Sequence, residues 1–100
     1  MTYRPLPDTL TIKNSEIEGL GLFATKDIEA DTNLGVIHVY GNDNEIIRTP
    51  LGGFINHAKF SNTYKVKITR DGITKSYLYT KRTIKAGDEL TLTYDLYKIN

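Results

Sequence analysis

The sequence predicts a mostly β chain built from several short strands in small sheets. Three observations predict it: alternating polar and apolar runs recur along the chain, turn-forming residues punctuate them at short intervals, and no segment holds a helical period beyond a turn or two. One hundred residues suffice for one domain, 1–100, with room for a single core.

The elements follow in chain order. Pro5 and Pro7 make the opening residues extended. "TLTIKNS" (9–15) alternates and is predicted as a strand ending at the Asn14-Ser15 turn former. In "EGLGLFATKDI" Gly19 and Gly21 are spaced by one residue and no helical window follows, so a bulge or tight turn is expected. A phosphate-binding loop would need a helix N-terminus behind its glycines. "NLGVIHVYG" is β-branched and reads as a strand, "GNDNE" as a turn, and "IIRTP" as a short extended piece that stops before Pro50.

The clearest local signal is "YKVKITRDGITKSYLY", where Asp71-Gly72 between two alternating runs predicts a two-residue hairpin turn. Setting Arg70 opposite Ile73 pairs Val66 with Tyr77 and Tyr64 with Tyr79 on one aromatic and branched face. The other face carries Lys65, Lys67 and Thr74 and is expected to meet water. "KAGDELTLTYDLYKIN" gives a turn at Ala86-Gly87 and a last strand. "FATKDIEADTNL" (23–34) and "YTKRTIKAGDEL" (79–90) also align without a gap, each reading as strand, turn, strand with Ala30-Asp31 and Ala86-Gly87 at the bend.

Composition bounds the chemistry. Hydrophobic residues at 39% and charged residues at 25% are ordinary for a soluble globular chain. No apolar run approaches membrane-spanning length, and "MTYRPLPDTL" alternates where a signal peptide would be apolar, so a soluble, intracellular chain is expected. Cysteine is absent, which excludes disulfides, thiolate metal sites and a cysteine nucleophile. His38 and His57 are the only histidines and no carboxylates stand at ligand spacing, so no metal is expected. The net charge of +1 is uneven: between residues 59 and 85 eight basic side chains face one acid, Asp71. Such a stretch is either a solvated strand face or an attractor of phosphates and acidic surfaces.

"GGFINHAKFSN" (52–62) poses the functional question, because Asn56 and His57 follow the apolar Phe54-Ile55 directly. On their own they read as polar groups satisfying the backbone of a crossing loop. Taken with "GLGLFATKDI" and "IKAGDELTLTYDLY", however, the stretch resembles, in order and wording, the SET domain, the fold of protein lysine methyltransferases. The resemblance runs from about residue 10 to residue 97 and is nearest to the minimal, virus-like members without cysteine-rich zinc flanks.

The resemblance implies small sheets with a C-terminal segment threaded beneath the Asn-His loop as a pseudoknot. It implies that the backbone of Leu20, Gly21 and Leu22 approaches S-adenosylmethionine, that Asn56 holds the methionine end of that cofactor, and that the backbone of His57 meets its adenine edge. Asn62 would brace the loop, Tyr94 would stand where methyl donor and acceptor meet, and Tyr97, Phe54 and Tyr40 are candidates for an aromatic substrate channel. The partner implied is a protein with an accessible lysine, in the nucleus or on chromatin if that protein is a histone.

The sequence departs from the family pattern in three ways. "GNDNEIIRTP" leaves almost nothing of the variable insert that builds one wall of the peptide groove, so a second copy, giving a homodimer, is one source of that wall. Ala58 and Ser61 stand where Ser and Pro are usual, and the zinc flanks are missing.

Three functions stay open at this point. The first is lysine methyl transfer, an in-line displacement that depends on alignment. The second is a SET-like module that binds a partner without catalysis. The third is a small β nucleic-acid binder using Lys65, Lys67, Arg70, Lys75 and the tyrosines. The third is disfavoured, because the hairpin tyrosines are expected opposite Lys65 and Lys67.

Overall fold

The computed structural model describes residues 6–41 and 45–93. Its elements are β1 (Leu10–Asn14), β2 (Leu20–Ala24), β3 (Asn33–Tyr40), β4 (Ile46–Arg48), α1 (Pro50–Phe54), β5 (Asn56–His57), β6 (Thr63–Arg70), β7 (Ile73–Thr80) and β8 (Glu89–Leu92). They form two four-stranded sheets, ordered β1-β2-β8-β5 and β4-β3-β7-β6. The mostly β fold in small sheets is as the sequence predicts.

Each sheet turns one face to a shared core. Leu10, Leu22, Leu90 and Leu92 come from the first sheet, and Leu34, Ile37 and Leu78 from the second. Leu51 and Ile55 enter from α1 and the residue after it. The single turn of α1 exists because Thr49 caps it: its hydroxyl accepts from Gly52 N at 3.3 Å and donates to Val36 O at 2.7 Å, with Pro50 at the first helical position. A Cβ at Gly52 would overlap Ile37 O, so this turn lies directly on β3 and fixes where the chain enters β5.

The β6–β7 hairpin has the predicted turn, with Asp71 at φ 55° and Gly72 at φ 79°, both in the left-handed region that its two-residue loop requires. Its register pairs Arg70 with Ile73, Val66 with Tyr77 and Tyr64 with Tyr79. The assignment of faces needs correction. Lys65 and Lys67 are exposed, but they share their face with Ser76 and Leu78 of β7, each 0% exposed. The core ends beneath β7, so side chains of the edge strand overhang it into water. The tyrosine face is only half buried, and it carries Lys75 and Arg70, which pair with Ile68 and Ile73. Charge and aromatic rings do share a surface there. The turn expected over "GNDNE" includes residues 42–44, outside the described residues; at its ends Gly41 N donates to Glu45 O at 2.8 Å.

The two similar segments turn out to be partners of each other. Ile28 and Ile84 occupy equivalent positions and form a reciprocal bridge, Ile28 N to Ile84 O at 2.7 Å and Ile84 N to Ile28 O at 2.8 Å. The bonds around it also come in equivalent pairs. Ala24 N to Asp88 O is matched by Thr80 N to Thr32 O, and Gly87 N to Ala24 O by Asp31 N to Thr80 O. Asp31 (φ 60°) and Gly87 (φ 92°) hold the same left-handed bend. A local two-fold relation therefore exchanges β1-β2-β8 with β6-β7-β3, its axis passing between two buried isoleucines.

Candidate functional site

The site grows from the end of β1. Ser15 closes the turn to β2, with Ser15 N donating to Gly19 O at 2.7 Å and its Oγ accepting from Ile17 N at 2.8 Å and Glu18 N at 3.3 Å. That hydroxyl donates its own proton to the Glu89 carboxylate, 2.9 Å from each oxygen. Glu89 starts β8 opposite Phe23 of β2 and lies back across Gly21, where a Cβ would overlap the carboxylate. Gly21 is thus required for close approach rather than for a turn.

Asn56 completes the cluster. Its Nδ2 lies 2.9 Å from Glu89 Oε2, 3.1 Å from Ser15 Oγ, 3.1 Å from Glu18 O and 3.2 Å from Leu20 O. All four are acceptors, since the Ser15 proton is directed at Glu89, so only the NH₂ end of the amide can face them. Both donors of Asn56 are spent inward. Its Oδ1 is left as an acceptor with no hydrogen bond among the described residues.

Asn62 holds the strand beneath. Its Nδ2 donates to Glu89 O at 2.9 Å and its Oδ1 accepts from Thr91 N at 2.8 Å, while Thr63 Oγ1 donates to Thr91 O at 2.6 Å. Further on, Thr93 Oγ1 donates to Ala58 O at 2.8 Å. β5 pairs with β8 in parallel, Asn56 with Thr91 and His57 with Leu92. The 56–63 loop and β8 are therefore bound at both ends of the loop, in the manner expected of a threaded segment.

Of the residues singled out in the sequence, Leu20, Gly21 and Asn56 meet at one place. Leu22 is beside them in β2, but its side chain is fully buried in the core, so only its backbone is offered to this face. His57 follows Asn56 with an exposed side chain. Phe54 is half buried and packs against the core. Tyr40 belongs to the other sheet: its hydroxyl is 3.0 Å from Ser76 Oγ, and Lys67 Nζ lies 4.6 Å from its ring centroid. Tyr94 and Tyr97 lie outside the described residues.

Sequence reading missed Ser15 and Glu89. The signals for Glu89 were its place in "GDELT" and a strand glycine that something had to cover. Beside the cluster a cleft of about 440 Å³ is lined by Lys13, Asn14, Glu16, Phe23, Gly87, Asp88 and Glu89. Its size is within the range of small-molecule sites, and its three carboxylates against one lysine favour a cationic occupant. Among the described residues no group of three or more His, Cys, Asp or Glu is arranged to hold a metal ion, and no helix is long and apolar enough to cross a membrane.

Comparison with known proteins bears on the same stretches. The family model of the SET domain matches residues 38–95. The crystal structure of a candidate histone methyltransferase from Plasmodium falciparum superposes with a TM-score of 0.76, covering 92% of this chain and 99% of that one at 17% sequence identity, a likeness of fold. No curated protein sequence matches.

Proposed function

Because this chain belongs to the SET domain family, we propose that it transfers a methyl group from S-adenosylmethionine to the side-chain amine of a protein lysine. The observation that carries the proposal is the convergence of Gly21, Asn56 and Glu89, which are far apart in sequence, in one half-buried cluster on the outward face of the first sheet. The residues suit the cofactor. Gly21 leaves on β2 the room that the Glu89 carboxylate occupies, and Asn56 turns an acceptor outward, complementary to the ammonium of a methionine moiety. Glu89, Glu16 and Asp88 supply a negative field for a molecule that carries cationic centres. When bound, S-adenosylmethionine supplies an activated methyl on a sulfonium.

The chain's own task is alignment and desolvation. Glu89 and Ser15 lock the Asn56 amide in one orientation, so the outward acceptor is preorganised. Tyr94, two residues after the end of β8 in sequence, is assigned the orienting hydroxyl at the reacting centre, where weak C–H···O contacts give direction. The lysine amine must arrive neutral, and a dry wall lowers its pKa toward that state. Phe54, two residues before Asn56, is half buried against the core, whereas Phe23 pairs with Glu89 and lines the cleft; Tyr40 is engaged in the second sheet by Ser76 and Lys67.

Calorimetry with S-adenosylmethionine tests the first half: heat is expected for the native chain and its loss for Asn56→Ala. No heat at millimolar cofactor overturns the reading. Transfer of labelled methyl to a lysine-rich peptide mixture tests the second, with Tyr94→Phe expected to reduce the rate sharply. Among the described residues between β3 and β5, the regular elements are the three residues of β4 and the single turn of α1. That economy favours a binding module as the second reading, and cofactor heat without methyl transfer would select it.

A further inference from the structure

We propose that the outer edge of β6 is a docking strand for an extended, alternately acidic and apolar segment of a partner protein, distinct from the basic lysine substrate. β6 ends its sheet, at eight residues the length of the central strands β3 and β7. The two-residue turn at Asp71-Gly72 fixes which backbone groups it leaves open. In such a hairpin the residues flanking the turn, Arg70 and Ile73, exchange hydrogen bonds, and pairs alternate from there. Ile68, Val66 and Tyr64 then bond to β7, while the N–H and C=O groups of Thr69, Lys67 and Lys65 point away from the sheet. The 2.7 Å contact between Thr69 and Thr74 hydroxyls agrees with a closely spaced, non-bonded pair at that position. Outside the hairpin, these three residues make no backbone hydrogen bond among the described residues.

The side chains beside this edge specify the occupant. On one face stand the exposed Lys65 and Lys67, with no acid between them; on the other, the half-buried Tyr64, Val66 and Ile68, ending at Arg70. A strand added here sets its own side chains next to these in alternation. Acids belong beside the lysines and apolar residues beside Tyr64, Val66 and Ile68. A second copy of β6 is disfavoured, because edge-to-edge pairing would bring lysine rows together. The only acid of the hairpin, Asp71, sits in the turn beyond the edge.

The test uses the full chain and three capped eight-residue probes: alternating Glu and Val, alternating Lys and Val, and four Glu followed by four Val. Fluorescence anisotropy is expected to show the Glu-Val alternation binding roughly tenfold tighter than either control. Amide shifts on binding are expected at Lys65, Lys67 and Thr69. Lys67→Pro removes one outward N–H without touching the bonds to β7, and should abolish binding with little change in melting temperature. A Lys65→Glu, Lys67→Glu double variant should reverse the preference to the Lys-Val probe, which keeps the test valid if the proline variant fails to fold. Equal binding of the alternating and block acidic probes would reduce the surface to unspecific charge and overturn the proposal. So would retained preference in the charge-reversed variant, or a dimer in sedimentation that Lys67→Pro dissolves, which would give the edge to a second copy.

Discussion

The two halves related by the Ile28–Ile84 bridge share a backbone and differ in what they do with it. On the outward face of the first, Lys13 pairs with Gly21 and Phe23 with Glu89; at the equivalent places of the second, Val66 pairs with Tyr77 and Tyr79 with Asn33. One half has a hole at its centre and a carboxylate that lies across it. The other fills the same place with a tyrosine, and Asn33 turns locally to accept from Gly35 N at 2.9 Å. A polar site thus requires no special fold here. It requires one missing Cβ, one carboxylate, and a loop that delivers an amide.

The largest effects should come from the part the halves share. Leu22 and Leu78 are equivalent, and each is 0% exposed. Leu22→Ala and Leu78→Ala should each destabilise by about 2–5 kcal/mol through lost burial and a residual cavity. Urea titrations read this as a lower midpoint at constant slope. A difference beyond about 2 kcal/mol between the two variants would break the claim that the halves pack alike.

Next in size is the device only one half has. Asn62→Ala would leave Glu89 O and Thr91 N without their partner at the buried end of the loop, which should cost about 2–3 kcal/mol. Asn62→Asp keeps the acceptor for Thr91 N but loses the donor and should recover only part. An unchanged urea midpoint for Asn62→Ala would show that β8 is held by its neighbours alone.

How much of this was legible follows from contact range. The hairpin was readable to the residue, because Asp71-Gly72 fixes the turn and the turn fixes the register. Alternation does not say which face is inside. β6 carries its lysines on the core side because it lies past the edge of the core, a fact of packing. The repeated corners were visible at Ala30-Asp31 and Ala86-Gly87, but nothing in two similar strings says they pair with each other. Gly21 and Asn56 were found through the resemblance of their motifs, whereas Ser15 meets Glu89 across 74 positions and leaves no periodic trace.

Smaller in stability but decisive for function is Gly21→Ala. The new Cβ pushes the Glu89 carboxylate from its place, loosening Ser15 and Asn56 at a cost of about 1 kcal/mol. Cofactor heat should disappear, while the equivalent opening in the other half, Tyr77→Gly, should leave it intact. Binding that survives Gly21→Ala would separate the cofactor from this face.

The smallest effect is confined to the second half and to acid. His38 is 8% exposed, and its pKa is lowered from the ordinary 6.5, first by burial and then by the positive charges of Lys65 and Arg48. Because the folded value is the lower one, the unfolded chain takes up the proton first as pH falls through 6.5. Stability is therefore full above that pH, declines below it, and levels off once the folded imidazole also protonates. His38→Gln should flatten the decline between neutral pH and the onset of carboxylate titration, and Lys65→Met should soften it by removing one of the two cations. Denaturation midpoints at matched ionic strength would show this. An identical slope in the His38→Gln chain would transfer the acid sensitivity to other groups and leave the cross-strand row Arg48–His38–Ser76–Lys67 electrostatically inert.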